Sequence, residues 1–159
     1  MKKLVSVILS VVMLVSLCIG LTGCSSQSDS FKVGVCQLMV HDALDQATKG
    51  FQDALTAKME AAGKKVEFDV QVAGEANLCT TVINTFTAKK VNLIMANATP
   101  ALLAAANATT SIPVLGTSVT DYADTFGGSI PANVSGTSDA VPFAEQAQMH
   151  HIVGQSSAE

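Results

Sequence analysis

Five short polar segments interrupt an otherwise apolar pattern in this chain, at 37–42, 74–77, 97–100, 117–122 and 137–139. Thr99 before Pro100 resembles a helix N-cap with proline at the first helical position. Its hydroxyl and the free amides behind it could hold a carboxylate, with the helix N-terminus favouring the negative charge. A plain cap explains the same two residues, and one threonine can serve both roles. Gln37 and His41 follow an alternating apolar run, where a histidine either faces a ligand or only caps its helix. Ser118 and Thr120 precede Asp121, whose carboxylate either pairs with an ammonium group or stands exposed in a turn. Tyr122, the chain's sole tyrosine, could stack on an aromatic ligand or cover a sheet edge. Ser138 and Asp139 close the set.

These residue types suit binding better than catalysis. Ser118 or Ser138 with His41 and Asp121 invites comparison with a catalytic triad. The chain has no Gly-x-Ser-x-Gly elbow, however, and the order is wrong for an α/β-hydrolase. No phosphate loop and no dinucleotide fingerprint is present, so no cofactor is expected. The separation of Cys36 and Cys79 matches no compact metal site. They are either an extracytoplasmic disulfide or two small buried residues. The nine basic residues are all lysines, against thirteen acids, giving a net charge of −4. A nucleic-acid partner needs a basic face and usually arginine forks, and neither is present.

The elements that must position these residues alternate. Phe31, Val33 and Val35 form a first strand ending around Cys36. Leu44, Ala47, Phe51, Leu55 and Met59 recur at helical spacing until Gly63 stops the helix. Val66, Phe68, Val70 and Val72 alternate as a second strand, and Leu78, Val82, Ile83 and Phe86 line a second helix closed by Lys89 and Lys90. Residues Val91 to Ala96 suit a buried parallel strand. A helix follows through Ala101 to Ala106, then strands at Pro113 to Gly116 and Asn133 to Thr137, with Phe126-Gly127-Gly128 as a loop between them. Repeated strand–helix units predict an α/β fold, a three-layer parallel sheet with helices on both faces. Ligands of such sheets bind beyond the C-terminal ends of the strands, where all five polar segments fall.

The 48% hydrophobic content is concentrated at the start, where Lys2 and Lys3 precede a nearly continuous apolar run from Leu4 to Leu21. That run is short for a membrane span and fits a targeting signal. Leu21-Thr22-Gly23-Cys24, followed by a serine-rich stretch, resembles the lipobox of bacterial lipoproteins. The resemblance implies a signal peptide at 1–23, acylation of Cys24, and a flexible tether at 24–30. A lipid membrane reached through acylated Cys24, on the extracytoplasmic face of the cell membrane, is the expected location.

A second resemblance rests on an ordered set of stretches. These are Val33-Gly34-Val35-Cys36-Gln37, His41-Asp42-Ala43-Leu44-Asp45, Lys49-Gly50-Phe51 and Val66-Glu67-Phe68-Asp69. Ala98-Thr99-Pro100, Ala104 to Thr109, Ile112 to Val114, Val119-Thr120-Asp121 and Asn133 to Asp139 complete it. Together they resemble the bacterial ABC-transporter substrate-binding lipoproteins that include tryptophan- and tyrosine-binding members. The resemblance implies one lobe of a type I periplasmic-binding-protein-like fold at 31–141 and the start of a crossover to a second lobe at 142–159. It also implies an amino-acid ligand, a cognate ABC permease as partner, and no enzymatic activity. Gln37, His41, Thr99, Ser118, Thr120, Asp121, Tyr122, Ser138 and Asp139 would line the cleft. Cys36, Val40, Asp42 and Tyr122 depart from the family's usual threonine, acid, proline and proline, which bears on ligand identity. Family members are considerably longer, so a chain ending at Glu159 is expected to be truncated and to bind weakly. A small lipid-anchored flavodoxin-like sensor or interaction module, dimerising through its sheet edge, is the alternative.

Overall fold

The alternation of Val33 and Val35 with Gly34 and Cys36 requires a strand covered on both sides, and two separate apolar clusters meet that requirement. The computed structural model describes residues 30–140. The expected signal peptide, Cys24, most of the tether, and the crossover segment from Pro142 onward lie outside the described residues. Within them, five strands form one sheet: β1 (Phe31–Gln37), β2 (Val66–Val72), β3 (Leu93–Asn97), β4 (Val114–Val119) and β5 (Val134–Ser138). The order is β2-β1-β3-β4-β5 and every pairing is parallel, as the strand–helix alternation predicts. Among the described residues, no helix is long and apolar enough to cross a membrane.

The helices α1 (Asp42–Ala61), α2 (Cys79–Ala88), α3 (Thr99–Ala108) and the short α4 (Tyr122–Thr125) connect the strands. On one face α1 packs Phe51 and Leu55 against Val33, Val35, Leu93 and Met95, with Phe31, Val66 and Phe68 beside them. Phe51 and Phe68 meet edge to face, their ring centres 6.2 Å apart. On the other face Ile83 and Phe86 of α2 and Leu102 of α3 bury Cys36, Ile94, Ala96 and Val114. Every residue of β3 is buried, which is why Leu93 to Ala96 form a continuous apolar run rather than an alternating one, before the polar Asn97. The α1 face is only half covered. Beyond that helix a groove of about 440 Å³ lies over β4 and β5, lined by Phe51, Met95, Leu115 and Thr117 among others.

Two local expectations change. Leu78 was expected to line the second helix, but it belongs to a single 3₁₀ turn at Ala76–Leu78 and is 46% exposed. Cys79, the next residue, takes the inward position and is fully buried. The fourth strand runs three residues further than its apolar run indicates, to Val119, across an irregular pairing with β5 between Gly116 and Val119. The four residues of α4 carry no helical periodicity, because one turn is too short to show any. Gly63 ends α1 as expected, adopting φ 67° and donating to Glu60 O.

A close approach fixes one glycine. A β-carbon on Gly34 would lie 2.5 Å from Cγ of the Phe86 ring, so the strand can approach α2 only where a side chain is missing. Gly34→Ala is therefore expected to cost about 1–3 kcal/mol in chemical denaturation. Gly50→Ala, at an exposed position inside α1 with nothing within 4 Å, is expected to stabilise by about 0.5–1 kcal/mol. Equal effects at the two positions would contradict this packing.

Candidate functional site

Four adjacent strand ends bring most of the candidate residues to one rim. Its foundation is a buried polar network beneath the surface. The Gln37 side chain, only 2% exposed, donates from Nε2 to Met39 O at 2.8 Å and to Asp45 Oδ1 at 2.6 Å. Its Oε1 accepts from the Thr48 hydroxyl at 2.7 Å. Thr48 Oγ1 in turn accepts from Asn97 Nδ2 at 2.9 Å, and that amide also donates to Leu44 O at 2.8 Å. The ends of β1 and β3 are thereby locked to the first turns of α1. Asn97 Oδ1 is buried without a hydrogen-bond partner among the described residues. Gln37 thus supports the 38–41 loop from inside, and its amide is already taken. Thr48 and Asp45 were not singled out from the sequence. The available signal was Thr48 itself, a polar residue on the inward spacing of Leu44, Phe51 and Leu55.

His41 is the N-cap of α1. Its Nδ1 accepts from the Ala43 amide at 3.2 Å, and the ring is otherwise exposed. Asp42 and Asp45 occupy the first turn behind it, where acidic groups favour the helix N-terminus.

Thr99 is not a cap. The N-cap position of α3 is Ala98, which makes no side-chain cap bond, and Thr99 and Pro100 are the first two helical residues. The first helical bond runs from the Leu102 amide to Ala98 O at 3.1 Å. The Thr99 and Ala101 amides therefore have no acceptor within the helix, and Pro100 has no amide to offer. Ala98 reaches this position at φ 95°, ψ 155°, a region that costs a side-chain-bearing residue about 1–3 kcal/mol. Its own amide donates to Thr117 O at 3.0 Å, which ties the turn to β4. Ser118, on the next strand, also has positive φ, at 56°. Two strained non-glycine residues thus stand side by side at the ends of β3 and β4.

Asp121 caps α4, its Oδ1 accepting from the Asp124 amide at 3.0 Å, and remains exposed. Ser138 Oγ donates to Thr120 O at 2.6 Å and accepts from the Ala140 amide, so it stitches the end of β5 to the loop after β4. The Asp139 amide donates to Val119 O at 3.1 Å. Tyr122 lies over the sheet, not over the rim. A β-carbon at Gly116 would meet its hydroxyl at 2.5 Å, one on the facing Gly136 would overlap it, and the hydroxyl donates to Thr137 O. Burial, and then the negative charge of Asp139, hold the phenol above its ordinary pKa of 10.0.

The arrangement is an open rim, one wall of a candidate binding surface. The groove over β4 and β5 reaches this rim at Thr117 and Thr137, whereas another concavity, between Lys32, Lys64 and Lys90, sits at the opposite end of the sheet. Among the described residues, no group of histidine, cysteine and carboxylate side chains is placed to hold a metal.

A family model for ABC transporter substrate binding proteins matches residues 32–153. The chain belongs to this family. It is 38% identical over 160 residues to the tyrosine-binding protein of Clostridioides difficile strain R20291, covering 87% of this chain and 45% of that relative. Among solved structures it resembles a ligand-free, open substrate binding protein with adhesive properties from Clostridium difficile. The TM-score is 0.68 at 34% identity, covering 76% of this chain and 43% of the other. An ABC domain in complex with L-Trp from Streptococcus pneumoniae is also similar, with TM-score 0.62, 31% identity and coverage of 70% and 39%. The chain spans less than half the length of these relatives. Its α/β lobe is one lobe of a type I periplasmic-binding-protein fold.

The shape of the rim depends on the buried network beneath it. Thr48→Val removes the hydroxyl that serves both Gln37 and Asn97 while keeping the volume. It is expected to lower stability by about 1–3 kcal/mol in urea denaturation. A change under about 0.5 kcal/mol would mean that the network does not hold the rim.

Proposed function

We propose that this lobe is one wall of an amino-acid site, in the extracytoplasmic solute-binding component of an ABC importer, and that the ligand is aromatic. The observation that carries this reading is the charge layout of the rim. Asp42, Asp45, Glu75, Asp121 and Asp139 stand on the segments that leave or follow the strand ends at this rim. Lys32, Lys64, Lys65, Lys89 and Lys90 belong to segments entering the strands at the opposite end. Within that acidic rim the α3 N-terminus is the feature that attracts an anion, with the Thr99 hydroxyl and the Thr99 and Ala101 amides as donors. A zwitterion fits both signs, its carboxylate at α3 and its ammonium toward Asp121 or Asp139. His41, Ser118, Thr120 and Ser138 line the same edge, while Gln37 and Tyr122 position it from beneath and behind. The aromatic class is supported by the relatives, one named for tyrosine and one solved with L-Trp.

One wall buries only part of a ligand, so affinity for L-tryptophan, L-tyrosine or L-phenylalanine is expected on the order of 1 mM by calorimetry. Tryptamine, which lacks the carboxylate, should give no measurable binding, and Thr99→Val should weaken L-tryptophan by about tenfold or less. Equal binding of tryptamine and L-tryptophan would sink the carboxylate assignment.

The partner that receives the ligand is an ABC permease. The proposed arrangement is a signal peptide at 1–23, an acylated Cys24, a tether at 24–30, the lobe at 31–141 and the start of a crossover at 142–159. Its support is the small-residue pair before Cys24 and the polar stretch after it. Expressed in a bacterial host, the chain is expected in the membrane fraction with a diacylglycerol mass on Cys24. Cys24→Ser should abolish that added mass, and an unmodified wild-type cysteine would contradict the anchor.

A further inference from the structure

Two thiols meet in the core directly beneath the rim. Cys36 is the last residue but one of β1, and Cys79 is the first of α2. They are distant in sequence, yet both are fully buried and both belong to the cluster between the sheet and α2. Each thiol perturbs the other, which makes them neighbours within that cluster, and the Cys79 thiol donates to Glu75 O at 3.8 Å. Both are free thiols, and they are the two cysteines among the described residues. Packing alone calls for small residues at each position. It does not call for sulfur at both sides of one contact.

We propose that Cys36 and Cys79 form a disulfide, closed by a small-molecule disulfide oxidant, that staples the end of β1 to the start of α2. The bond would act on the candidate rim through its neighbours. Gln37 follows Cys36 directly, and its carbonyl accepts from Ala73 at 2.8 Å, while Leu38 O accepts from Gly74 at 2.8 Å. Stapling Cys36 to Cys79 would therefore fix the 73–78 loop against the loop after β1. The proposal stands on two fully buried thiols that share one cluster between the sheet and α2. The extracytoplasmic reading enters only as the reason an oxidant would be met.

The exchange balances in two steps. One cysteine thiolate attacks a sulfur of oxidised glutathione, forming a mixed disulfide and releasing one glutathione thiolate. The second cysteine thiolate then attacks the protein sulfur of that mixed disulfide and releases the other glutathione. Two protein thiols lose two protons and two electrons, and one glutathione disulfide becomes two thiols. Burial pushes the Cys36 thiol up to about 12 and raises Cys79 as well, so the closed core offers little thiolate. Pairing therefore belongs to folding, or to opening of the turn before α2.

The test takes the full unprocessed chain, made by cell-free synthesis without the acylating enzyme, and refolds it from denaturant in a reduced and oxidised glutathione mixture or in excess reductant. Remaining thiols are then alkylated under denaturing conditions and mapped by mass spectrometry. After oxidative refolding, Cys36 and Cys79 are expected to escape the label and to appear as one cross-linked peptide pair. Cys18 and Cys24 should stay available to alkylation. The oxidised form should melt at least about 10 °C above the reduced form. In Cys79→Ala, Cys36 should be labelled and the dependence on oxidant should vanish. Full labelling of Cys36 and Cys79 after oxidative refolding would overturn the proposal, as would their cross-linking to Cys18 or Cys24 instead. The thiol count does not depend on ligand binding, so a chain that binds no amino acid can still pair its cysteines.

Discussion

The central strand of the sheet ends in a buried asparagine, and the shape of the candidate site depends on how that end is held. Asn97 is fully buried. A primary amide cannot sit there without partners, since leaving one donor unmet costs roughly 1–3 kcal/mol. Leu44 O and Thr48 Oγ1 satisfy its donors, and Thr48 reaches on to Gln37 at the end of the neighbouring strand. Through this chain of bonds the start of α1 is fixed to β1 and β3 together. The next residue, Ala98, then turns at positive φ and aims the α3 N-terminus out of the sheet. A parallel sheet puts all such ends on one side, so a local constraint becomes a surface with a defined layout of charge.

That layout separates support from display. Gln37, Thr48, Asn97 and Tyr122 are spent on internal contacts, and the glycines facing Tyr122 exist to admit its ring. The α3 N-terminus with Thr99, and Ser118, Asp121 and Asp139, stand on the segments that form the rim. Backbone strain is confined to Ala98 and Ser118 at this end, with Lys90 at positive φ after α2 as the other non-glycine case among the described residues. Strain of this kind persists where the surrounding bonds over-determine it, and both rim residues are bracketed by strand pairings.

The layers of this fold were readable from periodicity. The alternation at Phe31 to Val35, the helical spacing from Leu44 to Met59 and the continuous apolar run of β3 each reflect one packing environment, so each leaves a local pattern. The placement of the polar segments beyond the strand ends followed from topology. The role of individual polar residues was less legible, because it depends on partners far along the chain. Gln37 reads as cleft-lining until Thr48 and Asp45 are seen to occupy its amide. Thr99 reads as a cap until the helix is seen to begin at Thr99 itself, with Ala98 in the N-cap position. Tyr122 left two readings open, and the facing Gly116 and Gly136, which decide between them, lie on two different strands. Leu78 satisfied the helical spacing, but a 3₁₀ turn rotates it outward and gives its place to Cys79.

The central claim is that the α3 N-terminus receives the carboxylate of an aromatic amino acid. A crystal structure of the chain grown with saturating L-tryptophan tests it most directly. The account predicts the carboxylate within hydrogen-bond distance of the Thr99 hydroxyl and the Ala101 amide, with the ammonium toward Asp121 or Asp139. An indole seated in the groove beside α1, with the carboxylate away from α3, would contradict it.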